Sequence, residues 1–257
     1  MRFELLAVVD RMLQYYQKPR SRRRFQEYIS MIEPDRGADM VLPVGAYNPM
    51  AGDYMIDRMK AFQNVGAEDI IKEELTHLNS QMEAGSGSEG RIISVVLCVA
   101  DDQNGKWTNR YTADYDHTFR LGALLKRDFC TPVWWVTEMP DQEMIRQRTR
   151  EFCARTIFRL NNPDPVSLEQ HIVQEIFVSR HSSGKIPETL PIDWEFLDSL
   201  RKKYGEVTQY DRILNYFYGD AAFLSLGYGG PMGIEEPFAG FLYARHPRTL
   251  QAGPFRE

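Results

Sequence analysis

Cysteine is scarce in this chain. Cys98, Cys130 and Cys153 are the only three in 257 residues, widely spaced and with no Cys-x-x-Cys pair. An odd number at such spacings predicts neither a disulfide framework nor a cysteine-built zinc site. Long apolar runs are missing too: no stretch of the sequence approaches the ~18 apolar residues of a membrane-spanning helix. A Gly-x-Gly-x-x-Gly spacing occurs once, at Gly85-Ser86-Gly87-Ser88-Glu89-Gly90, but it precedes an apolar run instead of following one as a dinucleotide-binding turn does; a Gly-x-x-x-x-Gly-Lys-Ser/Thr phosphate loop, Gly-x-Ser-x-Gly and His-Glu-x-x-His are absent. Those spacings carry dinucleotide, nucleotide, acyl-transfer and metalloprotease chemistry. There is no excess of positive charge: the formal net charge is −5. That balance argues against nucleic acid as a partner, because such binders present a basic domain. The opening Met1-Arg-Phe-Glu-Leu-Leu places an acidic residue early and has no secretory pattern. The expectation is therefore a cytoplasmic protein with no membrane partner.

What the chain does contain is ordinary for a folded protein, with 43% hydrophobic and 26% charged residues. The length fits one large domain or two small ones. The reading preferred is a single compact domain over 1–257, with a helical part at 1–83, a sheet-containing core at 84–180 and a helical part at 181–257.

Periodicity places the elements. Leu5, Leu6, Val8, Val9, Met12, Leu13 and Tyr16 form a stripe at helical spacing. Ser21 is positioned to cap a second helix carrying Phe25, Tyr28, Ile29 and Ile32. Met40–Val44 reads as a short strand, and Asp53 as a helix cap. Residues 84–90, Ala-Gly-Ser-Gly-Ser-Glu-Gly, have the composition of an exposed loop. Ile92–Ala100 is almost wholly apolar, which predicts a strand covered on both faces. Asn104-Gly105 then predicts a hairpin, with Trp107–Thr112 as the returning strand. A helix over 118–127, a strand over 132–137 and a long helix through Met144–Leu160 follow. Ser167 caps a helix from Leu168 to Val178. The run Gly227-Tyr228-Gly229-Gly230 reads as a helix-ending turn rather than a phosphate cradle. The fold class expected is α/β (mixed α+β): a small mixed sheet with a central apolar strand and one hairpin, heavily covered by helices, and a helical C-terminal quarter.

Two clusters could carry chemistry. Asp114, Asp116 and His117 lie between the expected returning strand and the next helix, where polar groups tend to gather. His117 is the candidate acid–base residue, with the aspartates orienting it. His171 and Glu175 stand four apart and so share one helix face with apolar Leu168 and Ile172. An imidazole and a carboxylate inside an apolar arc need a partner. A divalent metal (zinc, iron or manganese) is one such partner and the cofactor this pair suggests. If the clusters converge, they would make a site for a small molecule or for metal-assisted hydrolysis. Arg110, if buried, should pair with Asp101 or Asp114. Lys18, Arg20, Arg22, Arg23 and Arg24 form a basic patch on an acidic chain, read as a solvated turn between helices or as a contact for an acidic partner. The alternative function is accordingly a non-catalytic interaction or scaffolding protein.

Overall fold

Val95 to Ala100 are all 1% exposed or less, so the apolar run of the sequence is the axis on which the first part of the chain is built. The computed structural model describes residues 1–33, 39–83, 90–103, 109–182 and 191–252. Chain contacts divide it into two compact units, Met1–Cys153 and Ala154–Glu257.

In the first unit the run forms β2 (Ile92–Val95) and β3 (Cys98–Ala100), after β1 (Arg2–Leu5) and ahead of β4 (Phe129–Cys130) and β5 (Val133–Trp135). Every pairing among the described strands is parallel: β1 with β2, β2 with β4, and β3 with β5. Backbone bonds bridge the breaks, Val96 to Cys130 and Cys98 to Pro132, both at 2.9 Å. Two short ladders therefore follow one another along the same pair of chain segments. Parallel neighbours require long crossovers. Four helices supply the first: α1 (Val9–Tyr16), α2 (Arg22–Ile32), α3 (Tyr54–Asn64) and α4 (Ala67–Glu83). The second contains α5 (Arg110–Phe119) and α6 (Gly122–Leu125). No helix among the described residues is long and apolar enough to cross a membrane.

The mixed helix-and-strand class stands, but four details are corrected. Residues 2–5 form a strand rather than the start of a helix, because β2 offers Arg2–Leu5 a full parallel register. Met40–Val44 is not a strand; its chain turns, with Val44 donating to the carbonyl of Leu42 at 2.9 Å. The expected returning strand is helical from Arg110 onward. Asn109 caps α5, its side chain accepting from the amides of Tyr111 and Thr112 at 3.0 and 3.2 Å, and a satisfied cap outweighs local β preference. β2 has no free side for such a strand, since β1 and β4 flank it. Finally, the helix expected over 118–127 is divided: α5 stops at Phe119, and the separate turn α6 holds Gly122–Leu125. The Asn-Gly turn and the loop at 84–89 lie outside the described residues.

A long helix, α7 (Gln142–Asn161), runs through the boundary into the second unit. That unit adds α8 (Leu168–Ser182), α9 (Trp194–Tyr204), α10 (Tyr210–Ser225), α11 (Ala239–Arg245) and α12 (Pro247–Ala252). The sequence signals hold here. Ser167 Oγ accepts from the Gln170 amide at 3.4 Å. Gly227, at φ +83°, follows the end of α10, in the left-handed conformation that glycine adopts without steric cost.

Candidate functional site

Parallel strands point their carboxyl ends to one edge, and in open α/β sheets that edge is where ligands sit. Here β3 runs into Asp101-Asp102, and β5 into Val136-Thr137-Glu138. Asp101 is fully buried, its Oδ2 accepting from Asn48 Nδ2 at 2.6 Å and from the Tyr54 hydroxyl at 2.5 Å. Burial, reinforced by that hydrogen bond to Asp101, pushes the Tyr54 hydroxyl up to about 12. Tyr54 therefore remains a proton donor.

Asp102 joins the two strand ends. It accepts from the amide and the hydroxyl of Thr137 at 3.1 and 2.6 Å and pairs with Arg110 Nη1 at 3.1 Å. The other arm of Arg110 reaches Glu138 at 2.8 Å, and Glu138 also pairs with Arg148 of α7 at 2.5 Å. The carboxylates of Asp102 and Glu138 thus alternate with two guanidinium groups. Arg110 is the most open member of this set, its side chain 34% exposed.

Loop 42–53 brings Asn48 to Asp101 and leads into Tyr54, and this loop is held firmly. Arg24 is 3% exposed. Its guanidinium donates to the carbonyls of Pro49 at 3.0 Å, Ala51 at 2.8 Å and Lys18 at 3.0 Å. It also lies over the Tyr15 and Tyr16 rings, 5.4 and 5.6 Å from their centroids. Tyrosine hydroxyls secure the same loop: Tyr15 on the Pro49 carbonyl, Tyr16 on that of Asn48 and Tyr28 on that of Val44. Arg24 therefore leaves the solvated basic turn read from the sequence and becomes an internal clamp. At the rim, a β-carbon placed on Gly52 would stand 3.1 Å from the Tyr54 ring and 4.0 Å from Arg20 Nη1. Arg20 makes no ion pair with any carboxylate among the described residues.

The residues singled out in the sequence lie elsewhere. Asp114, Asp116 and His117 sit within α5. Asp116 is exposed and pairs with Arg120 at 3.0 Å. Burial holds His117 below the usual histidine range, while Asp114 and Asp116 pull it back. His171 and Glu175 lie on α8 in the other unit and are 4% and 3% exposed. His171 Nδ1 is 2.7 Å from the Ser167 carbonyl. Glu175 takes Arg155 of α7 as a bidentate partner at 2.9 and 2.7 Å. Burial also lowers the His171 pKa. Among the described residues no group of three or more His, Cys, Asp or Glu side chains is placed to hold a metal ion. The strand-edge set left a trace in the sequence, since acidic pairs or Thr-Glu end both apolar runs. Arg110 does pair with carboxylates, but with Asp102 and Glu138 instead of Asp101 or Asp114.

Comparison with protein-family models, with curated proteins and with solved structures finds no match to this chain.

Proposed function

We propose that this chain binds a small polar molecule bearing an anionic group at the carboxyl edge of its parallel sheet. The observation that carries the reading is Arg20: a guanidinium beside Tyr54, at the rim of a fixed strand-edge network, with no carboxylate partner among the described residues. Arg20 supplies donors in the fork geometry suited to carboxylate or phosphate, and Arg110, whose two terminal nitrogens are held by Asp102 and Glu138, adds a partly exposed positive charge at the same edge. Tyr54, whose proton goes to Asp101, adds only an acceptor oxygen. The clamp on loop 42–53 means that little ordering remains when a ligand arrives, which favours affinity.

Thermal melting with inorganic phosphate, adenosine monophosphate and succinate as probes tests the reading. A ligand present at 100 times its Kd stabilises the folded chain by ~2.7 kcal/mol. For a chain of this size that raises Tm by roughly 5–10 °C. At least one probe should produce the shift in the native chain, and Arg20→Ala and Arg110→Ala should each abolish it. No shift with any probe, or a shift that survives both substitutions, overturns the reading.

A further inference from the structure

We propose that a second copy of this chain docks the outer face of α2 into an acidic cleft on α9 and the 233–236 segment, in a head-to-tail contact. The first half of the contact is convex. Arg22, Phe25 and Ile29 recur at three- and four-residue spacing and so share one helix face. Phe25 and Ile29 are 40% and 44% exposed, large values for bulky apolar side chains. Val41, whose amide donates to the Ile32 carbonyl at the end of α2, is 53% exposed. Arg22 forms no ion pair among the described residues, and Arg23 stands beside it with 89% of its side chain exposed.

The second half is concave and of opposite sign. A cleft of about 430 Å³ is lined by Asp193, Glu235 and Glu236 around Phe196, Leu197 and Ile234, with no lysine or arginine lining it among the described residues. Its wall is fixed before anything binds. Gly219 sits at φ +83°, and a β-carbon there would stand 2.7 Å from the Glu236 carbonyl. The Asp220 amide donates to the Ile234 carbonyl at 2.8 Å, and the Asp220 carboxylate accepts from the Gly233 amide at 2.9 Å. A basic, apolar ridge thus meets an acidic, apolar hollow of preset shape. Both surfaces are present on every copy, and they are two different patches. The contact is therefore heterologous, closing into rings or extending into filaments according to its rotation.

Sedimentation equilibrium over a wide concentration range tests this. The native chain should gain mass with concentration, and high salt should reverse the gain. Phe25→Ser removes the ridge and Glu235→Lys reverses a charge in the cleft. Each should weaken self-association by at least about tenfold. Mixed together, the two variants retain one intact ridge and one intact cleft, so they should form dimers and nothing larger. Arg22→Ala serves as a second ridge variant should Phe25→Ser lower the melting temperature. A native chain that stays monomeric throughout, or assembly indifferent to both substitutions, overturns the proposal. Phosphatidylserine-containing vesicles that bind the monomer, and lose it on Phe25→Ser, would assign the α2 face to a membrane surface and also overturn it.

Discussion

Asn48 donates to Asp101 across 2.6 Å, tying a loop between two helices to the carboxyl end of a buried strand fifty-three positions later. The same carboxylate oxygen accepts from Tyr54. A buried aspartate of this kind is stable only while its acceptors remain occupied.

Tyr54→Phe removes one of those donors and nothing apolar. Hydrogen bonds to charged groups contribute about 1.5–3 kcal/mol, so the variant should lose stability in that range. Urea unfolding reads it directly. A loss below a few tenths of a kcal/mol would mean that water replaces the hydroxyl at no cost.

Arg24 should be less replaceable than any exposed arginine. Arg24→Met leaves the buried carbonyl of Ala51 without its donor and that of Pro49 with the Tyr15 hydroxyl alone, at an expected cost of about 1–3 kcal/mol for each group left short. Arg24→Lys should recover only part of this, because one ammonium cannot span the fork that the guanidinium fills. Equal stability of the Lys and native proteins would remove Arg24 as the clamp.

The Arg155–Glu175 pair in the second unit is buried and bidentate, so its members should be strongly coupled. Arg155→Met alone strands a carboxylate and should cost about 3–5 kcal/mol. Combining it with Glu175→Gln should cost less than Arg155→Met alone, because the stranded charge is gone. Strict additivity in that double-mutant cycle would contradict the coupling.

His171 should make the fold acid-sensitive. Burial depresses its pKa in the folded chain below the ordinary value of about 6.5. The unfolded state then binds the proton more readily. The stability that neutral His171 contributes is complete above the unfolded pKa and is lost as pH falls through 6.5 toward the lower folded value. His171→Asn, which keeps a donor near the Ser167 carbonyl, should flatten the dependence of Tm on pH between neutrality and mild acid. An unchanged pH profile would show that another group governs it.

Much of the fold was readable because its causes are local. The Ser167 cap, the long helix through Met144–Leu160 and the turn at Gly227 follow from apolar spacing, capping side chains and backbone freedom within a few residues, and the 92–100 run is extended as expected but divided into β2 and β3. Cys98, within that apolar run, is fully buried. The failures share a cause as well. Residues 2–5 become a strand only because β2 lies beside them, and Arg110–Thr112 become helical once Asn109 caps them and β2 is flanked on both sides.

The candidate site was decided almost entirely by tertiary structure. The sequence by itself determined which residue types were available: acidic groups after two apolar runs, a basic cluster near Arg20, and a His–Glu pair on a helix. It could not determine their partners, since hydrogen bonds and ion pairs form between groups brought together by chain crossovers. Asp101 meets Asn48 and Tyr54, Asp102 and Glu138 share Arg110, and Glu175 meets Arg155 only after distant segments pack. Arg24 and Arg20, four residues apart, show the difference most plainly: both are basic in the sequence, but packing buries one as a clamp and leaves the other at the rim, without an ion pair among the described residues.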